Sequence, residues 1–376
     1  MTTRTYRPTR AEIAPGAIRR NVERIGVLVA PAAVCAVVKG DGYGHGIVTA
    51  ASAALEGGAT WLGVALAEEA FVLRDAGFTV PVLLLSEPVA AAWGDLVAGD
   101  IDVAVYSQAA IDAAQSAAAS AGRVAALHLK VDTGMHRVGC APGDAIGLAH
   151  AVHESPRSRL AGLFTHFATA DDPASMYPAI QLERYRQVDD ALADAGIGGY
   201  LRHAANSAGA IAVAGARFDL VRCGIACYGI APSPALQGRV ELEPALRLVS
   251  AVSHVKRLGG GEPVSYGCRF VTERETTVIT VPIGYADGLP RSLGLNGGYV
   301  LVGGRRRPVV GTVTMDQLMV DAGDLPVAVG DEVVLLGTQG DDEIDANEMA
   351  AREGSIGYEI VTRLGPRVPR VTVGPN

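Results

Sequence analysis

Residues 34–46, Val34-Cys35-Ala36-Val37-Val38-Lys39-Gly40-Asp41-Gly42-Tyr43-Gly44-His45-Gly46, set a short apolar run, a lysine and a glycine-laced loop in succession. An apolar run of strand length that closes on a polar residue is the first part of a strand–loop–helix unit, the building block of parallel sheets. Outward from this stretch the pattern repeats. From Pro31 to Cys223 short apolar runs alternate with Ala-rich stretches of helical length. The expected strands are Val34–Lys39, Trp61–Leu66, Val80–Ser86, Ile101–Tyr106, Ala125–Val131, Leu160–His166, Tyr200–His203 and Asp219–Cys223, with helices such as Gln108–Ala121 and Ala179–Ala195 between them. Eight repeats place the chain in the α/β class as a (β/α)8 TIM-type barrel.

After Tyr228 the texture changes. Ala231-Pro232-Ser233-Pro234 reads as a linker, and the remainder reads as a mostly β C-terminal domain. Its strands are expected at Val249–Val255, Thr276–Pro282, Val309–Val320 and Glu332–Leu336, with helices only at Ala346–Arg352 and Ile356–Arg363. The expected domains are 1–237 and 238–376, with the segment Arg4–Ile13 able to pair with either. A length of 376 residues accommodates a barrel of ~250 residues and a smaller partner. Hydrophobic content of 49% against 19% charged residues means an ample core.

A net charge of −8 excludes an electrostatic footprint for nucleic acid; the one dense basic cluster, Arg305-Arg306-Arg307, reads as a solvated turn. Met1 to Glu12 contain no apolar core of a signal peptide, and no later run reaches membrane-spanning length. Five cysteines without a CxxC pair fit reduced thiols of a cytoplasmic protein, buried and inert.

A barrel carries its functional side chains at the C-terminal ends of its strands. Lys39 is the first polar residue there. A lysine at an apolar strand edge can lose its proton and become an imine-forming nucleophile, or it can bury its stem and reach water with its ammonium; this segment alone does not choose. The same test returns Lys130 and Arg137, then His166, His203 with Asn206 and Ser207, and Arg222. Singly, each His or Arg is more often a satisfied structural group than a catalyst; it is their convergence on one face that points to chemistry. His150 and His153 have only Glu154 beside them, so no metal is expected, and a mouth with Lys130, Arg137 and Arg222 suits an anion. Ser207, opening a helix after Asn206, and Gly224-Ile225 offer a phosphate hydroxyl and backbone N–H groups. A phosphate-bearing ligand and a strand-end lysine together suggest pyridoxal 5'-phosphate.

The motifs Lys39–Gly46, Lys130–Met135, Thr165–Ala168, Asn206-Ser207, Arg222–Ile225, Ser265-Tyr266-Gly267, Gly284–Gly288, Met315-Asp316 and Gly357-Tyr358-Glu359, in that order, resemble those of alanine racemases over essentially the whole chain. The resemblance implies a homodimeric isomerase that interconverts L- and D-alanine for peptidoglycan synthesis. Lys39 would hold the cofactor as an imine and act as one base; Tyr266, donated by the partner subunit, would be the other. Tyr43, Ser207, Gly224, Ile225 and Tyr358 would bind the phosphate. Arg222 would face the pyridine nitrogen with His166 positioning it, and Arg137 would contact the cofactor's phenolic oxygen and the substrate carboxylate, assisted by the backbone of Met315. Tyr285 and Tyr358 would narrow the mouth. Lys130 would be carbamylated to orient Arg137. Three positions depart from the family's usual pattern: Thr312 and Thr314 replace Arg and Cys, and His136 replaces a glycine.

Two other readings remain open. A basic-amino-acid decarboxylase or broad-specificity racemase would share the architecture, but Arg222 opposes the first and the missing secretion signal the second. A non-catalytic pyridoxal-phosphate carrier would have no use for a β domain bearing Tyr266.

Overall fold

The computed structural model describes residues 6–374. The described residues form two compact units, one holding those up to Ala17 together with those from Pro244 onward, the other Ile18–Glu243. In chain order, β1 (Arg10–Ile13) belongs to the first unit. The second holds β2 (Ala33–Val37), β3 (Trp61–Val64), β4 (Val82–Leu84), β5 (Asp102–Val105), β6 (Ala125–Lys130), β7 (Ser158–Phe164), β8 (Leu201–His203) and β9 (Leu220–Cys223).

These eight strands run parallel, each of β3 to β8 beside the strand before it, and β9 lies along the free side of β2 with Arg222 opposite Cys35. Between β8 and β9 the ring is completed by the bridge Asn206–Arg222 and by hydrogen bonds from Asp219 N–H to the Arg202 carbonyl (3.0 Å) and Arg222 N–H to the Ala205 carbonyl (2.9 Å). The (β/α)8 barrel expected from the sequence is therefore present. Helix Gln108–Ala121 starts at Ser107, whose hydroxyl accepts from Ala110 N–H, and stops at the left-handed Gly122 (φ 64°). Most core side chains are Leu, Val and Ala, but His128 and His203 are also wholly buried. A β-bulge beside His128 places Gly162 against it, and a Cβ at Gly162 would fall 2.1 Å from the imidazole Nδ1. Only glycine leaves room for that ring.

The other unit is mostly antiparallel. Its strands continue as β10 (Leu246–Ala251), β11 (His254–Leu258), β12 (Pro263–Val264), β13 (Phe270–Val271), β14 (Thr276–Val281), β15 (Tyr299–Val302), β16 (Arg305–Val310), β17 (Leu318–Gly323), β18 (Glu332–Gln339), β19 (Asp342–Ile344) and β20 (Arg370–Thr372). The main sheet has the order β11-β14-β17-β16-β15-β18-β10-β1-β20. Arg10–Ile13 thus pairs with the β unit, antiparallel to β10 and parallel to β20; the residues before Tyr6 lie outside those described.

Several local expectations change. The run 309–320 is two strands, because Gly311 takes φ 70° with its α-carbon packed against the Val264 carbonyl, where a Cβ would fall 2.7 Å from that oxygen. Arg305–Arg307 are not a turn but the start of β16; the turn is Gly303-Gly304, both with positive φ, and Arg306 is drawn into ion pairs with Asp342 (2.9 Å) and Glu348. Cys35, Cys140, Cys223 and Cys227 are buried, and burial pushes the Cys35 and Cys223 thiols up to about 12, but Cys268 is exposed. No helix among the described residues is long and apolar enough to cross a membrane.

Candidate active site

Lys39 lies just beyond β2, not inside it. The four residues after it, Gly40, Asp41, Gly42 and Tyr43, all have left-handed backbone angles (φ 63°, 53°, 63° and 52°), which only a glycine-rich segment adopts cheaply. The turn is pinned from both sides. Gly42 N–H donates to the Val38 carbonyl (2.8 Å), Asp41 Oδ1 accepts from Ile47 N–H (2.8 Å) at the start of helix Ile47–Glu56, and Glu69 accepts from Gly40 N–H (2.6 Å) and Ala65 N–H (2.9 Å). These contacts fix the backbone that follows the lysine, and no hydrogen bond engages its amine among the described residues.

Cations gather around it. Burial, then the charge of Arg137, lowers the Lys39 ammonium, with Glu69 opposing. Burial, then Arg222, Arg137 and Lys39, pulls Lys130 down to about 8, against a smaller opposite effect of Asp132. His166, two residues past β7, is held well below its ordinary value by burial and the same four cations, so its imidazole is neutral at pH 7. The nearby Asp132 carboxylate is engaged with its own loop, accepting from Gly134 N–H (2.9 Å) and His136 N–H (3.0 Å). The surplus of positive charge suits a dianion. His136 takes φ 55° in this loop, a left-handed position that glycine adopts most readily, and sets its Nδ1 3.2 Å from Asp132 Oδ2.

Arg222, the third residue of β9, is 3% exposed. One terminal nitrogen donates to His203 Nδ1 and to the His203 carbonyl, both at 2.9 Å. The other donates to the carbonyls of Thr165 (2.6 Å) and Ala204 (3.1 Å) and sits 3.4 Å from His166 Nδ1. Its Nε–H finds no acceptor among the described residues, leaving one donor for a ligand. Burial lowers the guanidinium to about 10, which still leaves it charged at neutral pH.

Tyr43 and Gly224 form a close contact: a Cβ at Gly224 would lie 2.3 Å from the tyrosine hydroxyl oxygen. Ser207 Oγ accepts from Gly224 N–H (2.9 Å) and Ala226 N–H (3.4 Å), so its own proton remains to be donated. Asn206 caps helix Ser207–Ala212 by accepting from Gly209 N–H (2.9 Å), and its amide lies 3.4 Å from His166 Nε2. Ile225 opens the one-turn helix that follows. Tyr43, Ser207, Gly224 and Ile225 thus make one small cradle, in which Gly224 N–H holds Ser207 and the hydroxyls and the Ile225 N–H are the groups offered.

The remaining expected residues lie in the other unit. Tyr266 is 71% exposed, after Ser265 at φ 66°, and its carbonyl accepts from Thr312 Oγ1 (3.0 Å). Thr312, one of the departures, therefore braces the tyrosine's backbone. Met315 and Tyr285 come together: Tyr285 N–H donates to the Thr314 carbonyl (3.0 Å) and Ala286 N–H to the Met315 carbonyl (3.1 Å). Gly284 is compulsory in that contact, since a Cβ would fall 2.3 Å from the Thr314 oxygen. Tyr358 lies in helix Gly357–Thr362 and is half-buried. Sequence reasoning missed Glu69 and His128. Each had a signal: Glu69 stands three residues after the strand-to-helix junction at Leu66, the spacing of a capping box, and His128 shares a strand face with Lys130.

Residues 13–232 match the family described as alanine racemase, N-terminal domain, and residues 245–372 that described as alanine racemase, C-terminal domain. The alanine racemase of Symbiobacterium thermophilum is 45% identical over 97% of both chains. A crystal structure of alanine racemase from D-cycloserine-producing Streptomyces lavendulae is 40% identical and covers 99% of each chain with a TM-score of 0.94. That of Bartonella henselae alanine racemase with covalently bound pyridoxal phosphate is 29% identical and covers 97% of this chain and 99% of the other, with a TM-score of 0.88.

Proposed function

This chain belongs to the alanine racemase family and is an isomerase, and from that premise we propose that it inverts alanine with two bases, Lys39 and the partner subunit's Tyr266, around pyridoxal 5'-phosphate. The observation that carries the reading is the donor set of the barrel mouth. The cationic cluster has no carboxylate to spare for it, Ser207 and the Gly224 turn form a hydroxyl and N–H cradle, and Arg222 keeps Nε–H for an acceptor. These features fit a phosphorylated pyridine aldehyde.

Lys39 would hold the cofactor through its amine. Tyr43, Ser207, Tyr358 and the Ile225 N–H would bind its phosphate, with Gly224 N–H anchoring Ser207 Oγ and Asn206 fixing the helix that carries Ser207. Bound there, the cofactor supplies the electron sink that makes the substrate's α-proton removable. Lys39, with its pKa lowered by burial and Arg137, moves that proton on one face. A single base can only return it to the same face; Tyr266 on the opposite face completes the inversion. Arg222 can donate but not readily give up a proton, so it would leave the pyridine nitrogen unprotonated and would disfavour reactions that need a stronger sink, such as transamination. Arg137 and the Met315 backbone would orient the substrate carboxylate, and Tyr285 and Tyr358 would keep side chains small.

Lys130 fits carbamylation: a buried amine lowered to about 8 is partly neutral near pH 7 and can take up carbon dioxide with release of a proton, turning an unfavourable cation into an anion for Arg137. Electron density at its Nζ decides this, and a bare amine contradicts it. The product would serve cell-wall synthesis.

L-alanine incubated with the holoenzyme in heavy water is expected to give D-alanine with deuterium at the α-carbon, and Lys39→Ala to abolish both the visible absorbance of the bound cofactor and turnover. Cofactor absorbance without deuterium incorporation would instead indicate a carrier.

A further inference from the structure

Behind Arg222 the barrel interior holds a continuous line of polar side chains. Arg222 meets His203 Nδ1 at 2.9 Å, His203 Nε2 meets His128 Nδ1 at 2.9 Å, and His128 Nε2 meets Asp102 Oδ2 at 3.1 Å. Both imidazoles are 0% exposed and Asp102 is 6% exposed. Asp102 is the first residue of β5 and His203 the last of β8, so the line runs from the opposite end of the barrel to the functional one. At its far end Arg159 Nη2 lies 3.7 Å from Asp102.

The chemistry of the two ends allows one arrangement of protons. A guanidinium has donors and no acceptor, so His203 Nδ1 must be bare. His203 must then carry its proton on Nε2 and donate it to His128 Nδ1, which must be bare in turn. His128 therefore carries its proton on Nε2 and donates to Asp102, which as a carboxylate only accepts. A second proton on either ring would set donor against donor, and burial beside Arg222 and His128 also holds His203 well below its ordinary pKa. The arrangement is built for: the bulge and Gly162 open the space that His128 fills, and Phe164 stacks on His203 at 4.7 Å.

We infer that His203, His128 and Asp102 are positioning residues forming a one-way hydrogen-bond chain that fixes Arg222 and brings the Asp102 charge to bear on it through the barrel. Aligned hydrogen bonds polarise one another, so each imidazole is a better acceptor for the donor above it than it would be alone. The benefit of this chain to catalysis rests on the proposed role of Arg222 at the pyridine nitrogen; the proton arrangement itself does not.

The test uses full-length protein labelled with 15N-histidine, with and without pyridoxal 5'-phosphate. The expected spectrum at pH 7 shows His203 and His128 neutral and protonated on Nε2 in both states. Asp102→Ala, or Asp102→Asn if the first variant does not fold, is expected to move the nitrogen shifts of His128 and, through it, of His203. In the loaded enzyme it is expected to shift the visible band and lower kcat about tenfold with KM little changed. An Nδ1-protonated or doubly protonated ring in the wild type, or a variant in which only His128 moves, overturns the chain. An intact chain in a protein that binds no cofactor or racemises nothing would refute the racemase reading and leave the chain standing.

Discussion

Lys130 shows how residue type, burial and neighbours combine. Its ammonium is at the end of β6, 5% exposed, among Arg222, Arg137 and Lys39. The folded state thus binds its proton less tightly than the unfolded chain, whose lysine titrates near 10.5, and stability is reduced in full below about pH 8 and recovers as pH rises from there to about 10.5. In buffer free of carbon dioxide, Lys130→Met is expected to exceed the wild type in unfolding free energy by about 2 kcal/mol at pH 7, with the gap closing above pH 8. Added bicarbonate should stabilise the wild type and leave Lys130→Met unchanged. Denaturant titrations in the two buffers check both, and an equal response to bicarbonate would rule out the carbamate. At this scale the sequence was readable wherever a polar residue ended an apolar run, which is how Lys39, Lys130 and Arg222 were found. Tyr266 was reached only by resemblance, because an exposed tyrosine after a strained serine has no periodicity to betray it. His128 was missed because its one signal, a strand face shared with Lys130, is weak for a buried histidine until its partners are in place.

The element that shapes the site is the left-handed turn after β2. Gly42 holds φ 63°, and a Cβ there would stand 2.8 Å from the Ala50 side chain, on the helix that the turn leads into. Gly42→Ala is therefore expected to cost about 2 kcal/mol in stability, from backbone strain together with contact, and to weaken cofactor binding measurably. Thermal unfolding and titration of the visible band read the two effects; an unchanged melting temperature would mean that the turn relaxes without loss. Strand and helix bounds were legible where chemistry marks them, as Ser107 and Gly122 mark helix Gln108–Ala121. They were misread where apolar content continues through a break: 309–320 has strand composition throughout, and only the backbone at Gly311 divides it. Arg306 looked solvated because its partners Asp342 and Glu348 lie in sequence-distant elements.

At the scale of the molecule, the eight repeats announced the barrel, while the attachment of Arg10–Ile13 to the β unit could not be read, since one short strand fits either sheet. The residues proposed for catalysis are divided between the two units, Lys39 in one and Tyr266 in the other. The central claim is that each site joins Lys39 of one protomer to Tyr266 of the partner subunit. Lys39→Ala and Tyr266→Ala, each inactive alone, would then complement each other when co-expressed with different tags, because a mixed dimer regains one site with both bases. Random pairing is expected to restore about a quarter of the wild-type racemisation rate, and purified mixed dimers about half. A mixture no more active than the separate variants would contradict the shared site.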